Sequence, residues 1–150
     1  MPRFKHLQWD VPYTPGHIEA YGYNHGAPAA IHRIETTGRP AALLLTPDRY
    51  VLRADGQDTV PIAVSVVDSA GRIVPTADNK VRFSVSGAGV NAGVGNGDPA
   101  CPQPNQANYR SAFNGLCMVL ARANYTGGII RVRATAPNLQ PAAVQLLAKT

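Results

Sequence analysis

The feature that most constrains this chain is a period-two alternation, cut at short intervals by turn residues. Thr59 to Asp68 reads Thr-Val-Pro-Ile-Ala-Val-Ser-Val-Val-Asp, which sets Val60, Ile62, Val64 and Val66 on one side. Side chains along a strand point alternately to opposite faces, so this segment is a strand with an apolar inner face. Val81, Phe83 and Val85 alternate in the same way with Arg82, Ser84 and Ser86. Further strands are expected over Ala42–Pro47, Tyr50–Arg53, Val90–Val94, Ile129–Ala136 and Ala142–Ala148, with a long one over Ala112–Ala123 broken near Asn114-Gly115. Ala54–Asp58, with its Asp and Gly, and Ser69–Arg72 read as turns, and Asn124–Gly128 as a hairpin turn. Fourteen Gly and 13 Pro, spread between these runs, argue against long helices. The expected fold class is all-β, with seven to nine short strands in a β-sandwich.

The chain divides near Gly38-Arg39-Pro40, giving residues 1–39 and residues 40–150. The first part shows three strands, His6–Asp10, His17–Tyr23 and Pro28–Thr37, with turns at Thr14-Pro15-Gly16 and at Asn24–Ala27. Three strands bury one face at best and leave unpaired edges. Residues 3–37 are therefore expected to pack onto the second part or to pair with another copy of the chain as a homo-oligomer.

Composition removes several classes of function. No apolar stretch approaches the ~20 residues that span a bilayer as a helix, so no membrane partner is expected. The opening MPRFKHLQWD lacks the apolar core of a secretory signal. The net charge is +5, yet the 14 basic residues are scattered from Arg3 to Lys149. Arg131 and Arg133 share a strand face with Arg82 nearby, which suits a solvated face, so no nucleic-acid partner is expected. His6, His17, His25 and His32 all fall in the first part, across strands and a turn, and nothing in their spacing makes three ligands converge; no metal site is expected.

Two stretches carry a resemblance. Gly95-Asn96-Gly97-Asp98-Pro99, followed by Arg110-Ser111-Ala112-Phe113-Asn114-Gly115-Leu116, comes after the strand Val81–Gly87. This combination resembles the C-terminal immunoglobulin-like module of glycoside hydrolase family 2 enzymes, chiefly bacterial β-galactosidases. Leu7–Tyr13, Pro15-Gly16 and Glu19–Tyr23 look like the last strands of the module that precedes it. The resemblance implies an immunoglobulin-like β-sandwich at 40–150 and a truncated preceding β module at 1–39. It implies a non-catalytic accessory role, bracing the catalytic domain or an oligomer of the parent hydrolase, with the catalytic and preceding β domains as partners. Ala54-Asp55-Gly56, Val66-Val67-Asp68, Gly71, Val81-Arg82-Phe83 and Gly87 also resemble invasin-type repeats, an adhesin alternative that shares the fold but lacks the run from Gly95 through Leu116.

Family 2 enzymes cut sugars with two carboxylates on a barrel of eight strands and eight helices, which needs roughly 250 residues. The present chain has 150 residues and two glutamates, Glu19 and Glu35, on separate strands, so no catalytic residue and no cofactor are expected in it.

A carbohydrate-binding module is the second alternative. Its candidates are Trp9, Tyr21 and Tyr23, whose rings could stack on a sugar, and Asn96 and Asp98, which could hydrogen-bond hydroxyls. Tyr21 and Tyr23 share parity with His17 and Glu19; that face is equally the core face of the truncated module. Asn96 and Asp98 equally brace a loop in which Gly95 and Gly97 permit left-handed backbone. Cys101 and Cys117 are not usually cysteine in the resembling enzymes, and finding both suggests a local pair. A disulfide would tie the loop after Asp98 to the next strand, contribute on the order of 3 kcal/mol and imply a periplasmic or extracellular location. The other reading is one buried thiol and one loop thiol.

Overall fold

The computed structural model describes residues 8–150. It forms two compact units that meet in the chain at Thr36 and Thr37. Among the described residues every regular element is a β-strand.

Among its described residues the first unit contains one hairpin, β1 (His17–Asn24) against β2 (Ala27–Glu35). Its two-residue turn places His25 at φ 50° and Gly26 at φ 82°. Positive φ at both central positions matches the twist of the flanking strands, which is why Gly follows His here. Opposed pairs run from His17 with Glu35 to Tyr21 with Ile31, and the register shifts between Gly22 and Tyr23. The third expected strand is not seen: Gln8–Asp10 has no strand structure, while His6 and Leu7 lie outside the described residues.

The second unit is a sandwich of nine strands, at the upper end of the expected seven to nine. One sheet has the order β4 (Val51–Arg53), β11 (Ala142–Lys149), β10 (Gly128–Thr135), β6 (Lys80–Gly87), β8 (Tyr109–Ser111). The other has the order β3 (Ala42–Pro47), β5 (Thr59–Val67), β9 (Leu116–Ala123), β7 (Gly89–Gly95). All pairings are antiparallel except β11 with β4 at one edge. The expected inner face of β5 is the centre of the core: Val60, Ile62, Val64 and Val66 are all 0% exposed. Facing them from the other sheet are Val81, Phe83, Ile130, Val132, Ala134 and Leu146. On the outer face, Arg131 and Arg133 stand opposite Ser86 and Ser84, and Arg82 opposite Thr135, so the basic residues do share a solvent side.

The sheets exchange strands at tight corners, and these depart from the sequence reading. The expected long strand Ala112–Ala123 supplies only β9 (Leu116–Ala123), and its expected break at Asn114-Gly115 is a full reversal between the two sheets. β8 ends at Ser111, and the chain reverses through Asn114 (φ 51°) and Gly115 (φ 77°) before β9 begins. Gly115 is required there twice over: its φ is left-handed, and a Cβ would collide with the Val74 carbonyl oxygen. Asn124–Gly128 is likewise no hairpin turn, because β9 and β10 belong to opposite sheets. This segment crosses the layers, tied by Asn124 N–H donating to the Ala88 carbonyl, while Ala88 N–H donates to Ile129. Ala88 is also the point where the chain leaves β6 in one sheet and enters β7 in the other.

Two aspartates organise the ends of strands. Asp55 accepts from Gln57 N–H and Asp58 N–H at 2.9 and 2.7 Å, the Asx turn its Gly-containing segment suggested. Asp68 is buried and accepts three backbone N–H bonds, from Gly38, Ala70 and Arg72, at 2.8 to 2.9 Å. The Gly38 N–H first, and then the Arg72 N–H, hold its carboxyl below the usual carboxylate range.

Candidate functional site

The loop joining β7 to β8, with the strands that anchor it, holds the densest polar arrangement in the sandwich. β8 sits opposite β6 with Arg110 paired to Val81, a residue of the core. Alternation therefore points Arg110 inward, and its side chain is only 2% exposed. The guanidinium gathers the loop around itself. Nη2 donates to the Val94 carbonyl at 2.9 Å, to the Pro104 carbonyl at 3.4 Å and to Asn105 Oδ1 at 2.5 Å. Nη1 donates to the Gln103 carbonyl at 3.0 Å and meets Cys101 Sγ at 3.1 Å. Nε is buried with no hydrogen-bond partner. Arg110 opens the run that carries the family resemblance, yet its residue type alone assigns it no site role, since an arginine at a core parity looks like a break in a strand.

Asn96 and Asp98 sit in this loop as braces. Asn96 Nδ2 donates to the Ser111 carbonyl at 2.9 Å, and its Oδ1 accepts from Asp98 N–H at 3.3 Å. Asp98 Oδ1 accepts from Ala100 N–H at 2.9 Å. Gln103 closes the other side, accepting from Ser111 N–H at 2.8 Å and donating to Ser111 Oγ at 2.7 Å. Gly95 and Gly97 do not use the left-handed region, contrary to expectation. The turn is held by side-chain bonds instead, and a Cβ at Gly97 would make ordinary contact with Phe113 at 3.7 Å. A cleft of about 250 Å³ opens beside it, lined by Gly95, Asn96, Gly97, Leu116, Cys117 and Met118.

Cys101 and Cys117 are both free cysteines in this structure. Cys101 is partly exposed in the loop. Its thiol is held below the usual range, first by the Gln103 N–H and then by Arg110 and Asn96. Cys117 lies inside on β9, and burial pushes its thiol up to about 12.

The aromatic candidates lie in the first unit. Trp9, Tyr21 and Tyr23 are 68%, 56% and 64% exposed. On one face of the hairpin, Tyr21 Oη donates to Glu19 Oε2 at 2.6 Å, and Arg33 bridges Glu19 and Glu35 at 2.9 and 2.7 Å. The Tyr21 hydroxyl, then Arg33, lowers the Glu19 carboxyl, and Glu19 in turn raises the Tyr21 phenol. His17 lies on this face, opposite Glu35, whereas His32 pairs with Ala20 on the other face and His25 occupies the turn. The five sugar-binding candidates thus divide between the units: Trp9, Tyr21 and Tyr23 in the first, Asn96 and Asp98 in the second.

Comparison with known proteins follows this division. A family profile described as glycoside hydrolase family 2 C-terminal domain 5 matches residues 43–145, and one described as a domain of unknown function, DUF4982, matches residues 2–30. A β-galactosidase of Bacteroides ovatus, BoGH2A, is 37% identical over 144 residues, which are 96% of this chain and 17% of that enzyme. A β-glucuronidase of Formosa agariphila is 33% identical over 143 residues, 91% of this chain and 14% of that enzyme. The crystal structure of a glycosyl hydrolase family 2 member from Bacteroides cellulosilyticus superposes with a TM-score of 0.92 at 32% identity, over 96% of this chain and 19% of that one. The chain spans less than a fifth of each of these relatives. With the profile covering most of the sandwich, from β3 into β11, the chain belongs to glycoside hydrolase family 2, as a C-terminal domain of that family.

Proposed function

We propose that this chain is the C-terminal brace of a family 2 β-galactosidase, positioning and stabilising the catalytic part without making or breaking bonds. The observation that carries this reading is the 37% identity across 96% of the chain to a short portion of a β-galactosidase. The internal bonding of the loop supports it as well. Asn96 Nδ2 and Asp98 Oδ1 bond to backbone groups of the loop and of β8, which favours a structural role for these two side chains. In the first unit, Ile18, Ile31 and Ile34 are exposed on a two-stranded hairpin, which is too small to be stable alone. On this reading the hairpin β1–β2 belongs to the closing strands of the preceding β module, and upstream chain of the same polypeptide covers it.

The test is expression of the reading frame that includes sequence upstream of this segment. The longer protein is expected to hydrolyse aryl β-galactosides, and deletion of residues 37–150 to lower its thermal midpoint and activity together. An upstream frame without glycosidase activity overturns the reading. Sedimentation of the 150-residue chain addresses the hairpin: a stable dimer through residues 3–37 that persists in the longer protein means that a second copy, not upstream chain, covers it.

A second reading rests on the exposed rings of Tyr21 and Tyr23, which suit a carbohydrate ligand. An NMR titration with galactosides and polysaccharides distinguishes it. Saturable shifts at Trp9, Tyr21 and Tyr23 would assign a sugar-binding module, and a flat response at millimolar sugar leaves the brace.

A further inference from the structure

Arg110 is a charge in the core without a carboxylate. It occupies an inward position on β8, 2% exposed, and none of the ion pairs among the described residues includes it. Its oxygen partners are neutral: three backbone carbonyls and the side-chain amide of Asn105. Nε has no partner at all. A buried guanidinium left in that state is costly, because neutral dipoles replace only part of its lost hydration. The remaining contact is the sulfur of Cys101, 3.1 Å from Nη1.

That sulfur is itself surrounded by donors. Asn96 Nδ2 approaches at 3.7 Å, and the Gln103 backbone N–H points to it. A thiol is a weak acceptor and a thiolate a strong one, so three converging N–H groups match the ionised form. The other ionisable groups nearby do not oppose this. Asp98 turns its carboxylate onto Ala100 N–H, and Cys117 on β9 is a buried thiol that stays protonated. Tyr109 points away on β8, with Lys80 over its ring.

We propose that Cys101 is a thiolate, the counter-ion of the buried Arg110, and is therefore the site on this chain that reacts with soft alkyl electrophiles. Cys101 is partly exposed, so a reagent reaches it, while Cys117 is 5% exposed and is shielded. With iodoacetamide the sulfur lone pair forms the S–C bond, the C–I bond breaks and iodide leaves; no proton is released, because the sulfur carries none. The pair also locks the loop from Asn96 to Asn105 onto β8.

The experiment follows alkylation of the reduced 150-residue chain by iodoacetamide from about pH 5 to about pH 9, resolving the two cysteines by peptide mass spectrometry. The same series in urea supplies the unfolded reference. Native Cys101 is expected to react about tenfold faster than unfolded Cys101 at pH 6.5, with its profile displaced to lower pH, while native Cys117 stays protected. Arg110→Gln is expected to return the Cys101 profile to that of the unfolded chain. Asn96→Ala, which leaves the guanidinium in place, is expected to displace it only slightly. Coincident native and unfolded profiles for Cys101 overturn the proposal. So does recovery of a Cys101–Cys117 disulfide from the unreduced protein, which would return the pair to the structural role its positions first suggested.

Discussion

The hairpin β1–β2 and the strand β5 obey the same local rule and end in opposite surroundings. In β5, Val60, Ile62, Val64 and Val66 are 0% exposed. In the hairpin, Ile18 and Ile34 pair across the strands on one face and remain 56% and 63% exposed. Nothing in either stretch distinguishes them as sequence; both alternate and both carry β-branched residues. The difference is the second layer. β5 faces a five-stranded sheet that returns its own apolar face, whereas β1 and β2 form a two-stranded sheet with no second sheet among the described residues of its unit. Alternation states that a segment has an inside, and a second sheet has to supply it.

Mutations that remove the same side chain from the two places should separate them most clearly. Ile62→Ala is expected to destabilise the sandwich by about 2–5 kcal/mol, read as a shift in the urea midpoint, because it cuts a cavity at the centre of the core. Ile34→Ala in the hairpin is expected to move the same midpoint by less than about 0.5 kcal/mol. An equal loss in the two variants would break the comparison and would mean that the hairpin face is buried in the isolated chain.

Backbone substitutions sharpen it. Gly115→Ala puts a Cβ against the Val74 carbonyl at a left-handed φ, and is expected to cost more than about 1 kcal/mol, with loss of the β8–β9 corner. Gly26→Ala has the same kind of φ, +82°, but meets nothing within 4 Å. It should strain only the hairpin turn, by about 1 kcal/mol, visible as broadened amide resonances of β1 and β2 with an unchanged urea midpoint.

Acid acts next. Asp68 in the folded sandwich ionises below its unfolded value, so its contribution is fully present above the ordinary carboxylate pKa of about 3.9. It is lost as the pH falls through the folded value. The thermal midpoint should therefore drop on acidification below about pH 4, and Asp68→Asn should start lower and lose less over the same range. The smallest effect belongs to the hairpin. Glu19 is lowered by the Tyr21 hydroxyl and by Arg33, and Arg33→Ala should raise its titration midpoint in carboxyl carbon NMR without moving the sandwich melt.

Much of the architecture is legible in particular residues. Val60 through Val66 announce β5 and its inner face, Asp55 and Ser69–Arg72 their turns, and Gly26 the hairpin. The segment Gly95–Leu116 points to the family by its residue order alone. The failures share one cause. Ala112–Ala123 reads as one broken strand because its apolar residues run on past Asn114-Gly115, yet Ala112–Gly115 is the corner that carries the chain from the sheet of β8 to the sheet of β9. Asn124–Gly128 reads as a hairpin turn because its composition is that of a turn, and composition does not say which sheet comes next. β8 escapes notice because Tyr109-Arg110-Ser111 carries an arginine at the inward position. The site residues follow the same pattern: Asn96 and Asp98 stand out by type, while Arg110, which organises the loop around them, does not.

Most of the strand content, most turn positions, the inner faces of β5 and β6 and membership of the family are written into local order, because φ/ψ preference and side-chain parity act within a few residues. Which sheet each strand enters, whether an apolar face finds a cover, and how a lone buried cation is satisfied depend on segments far apart in the chain. Val81 meets Arg110 across 29 positions, and Cys101 approaches that guanidinium only because β8 turns it inward and the loop folds back over it. These are decided when the two layers close, since only then does desolvation set the cost of every group left without a partner.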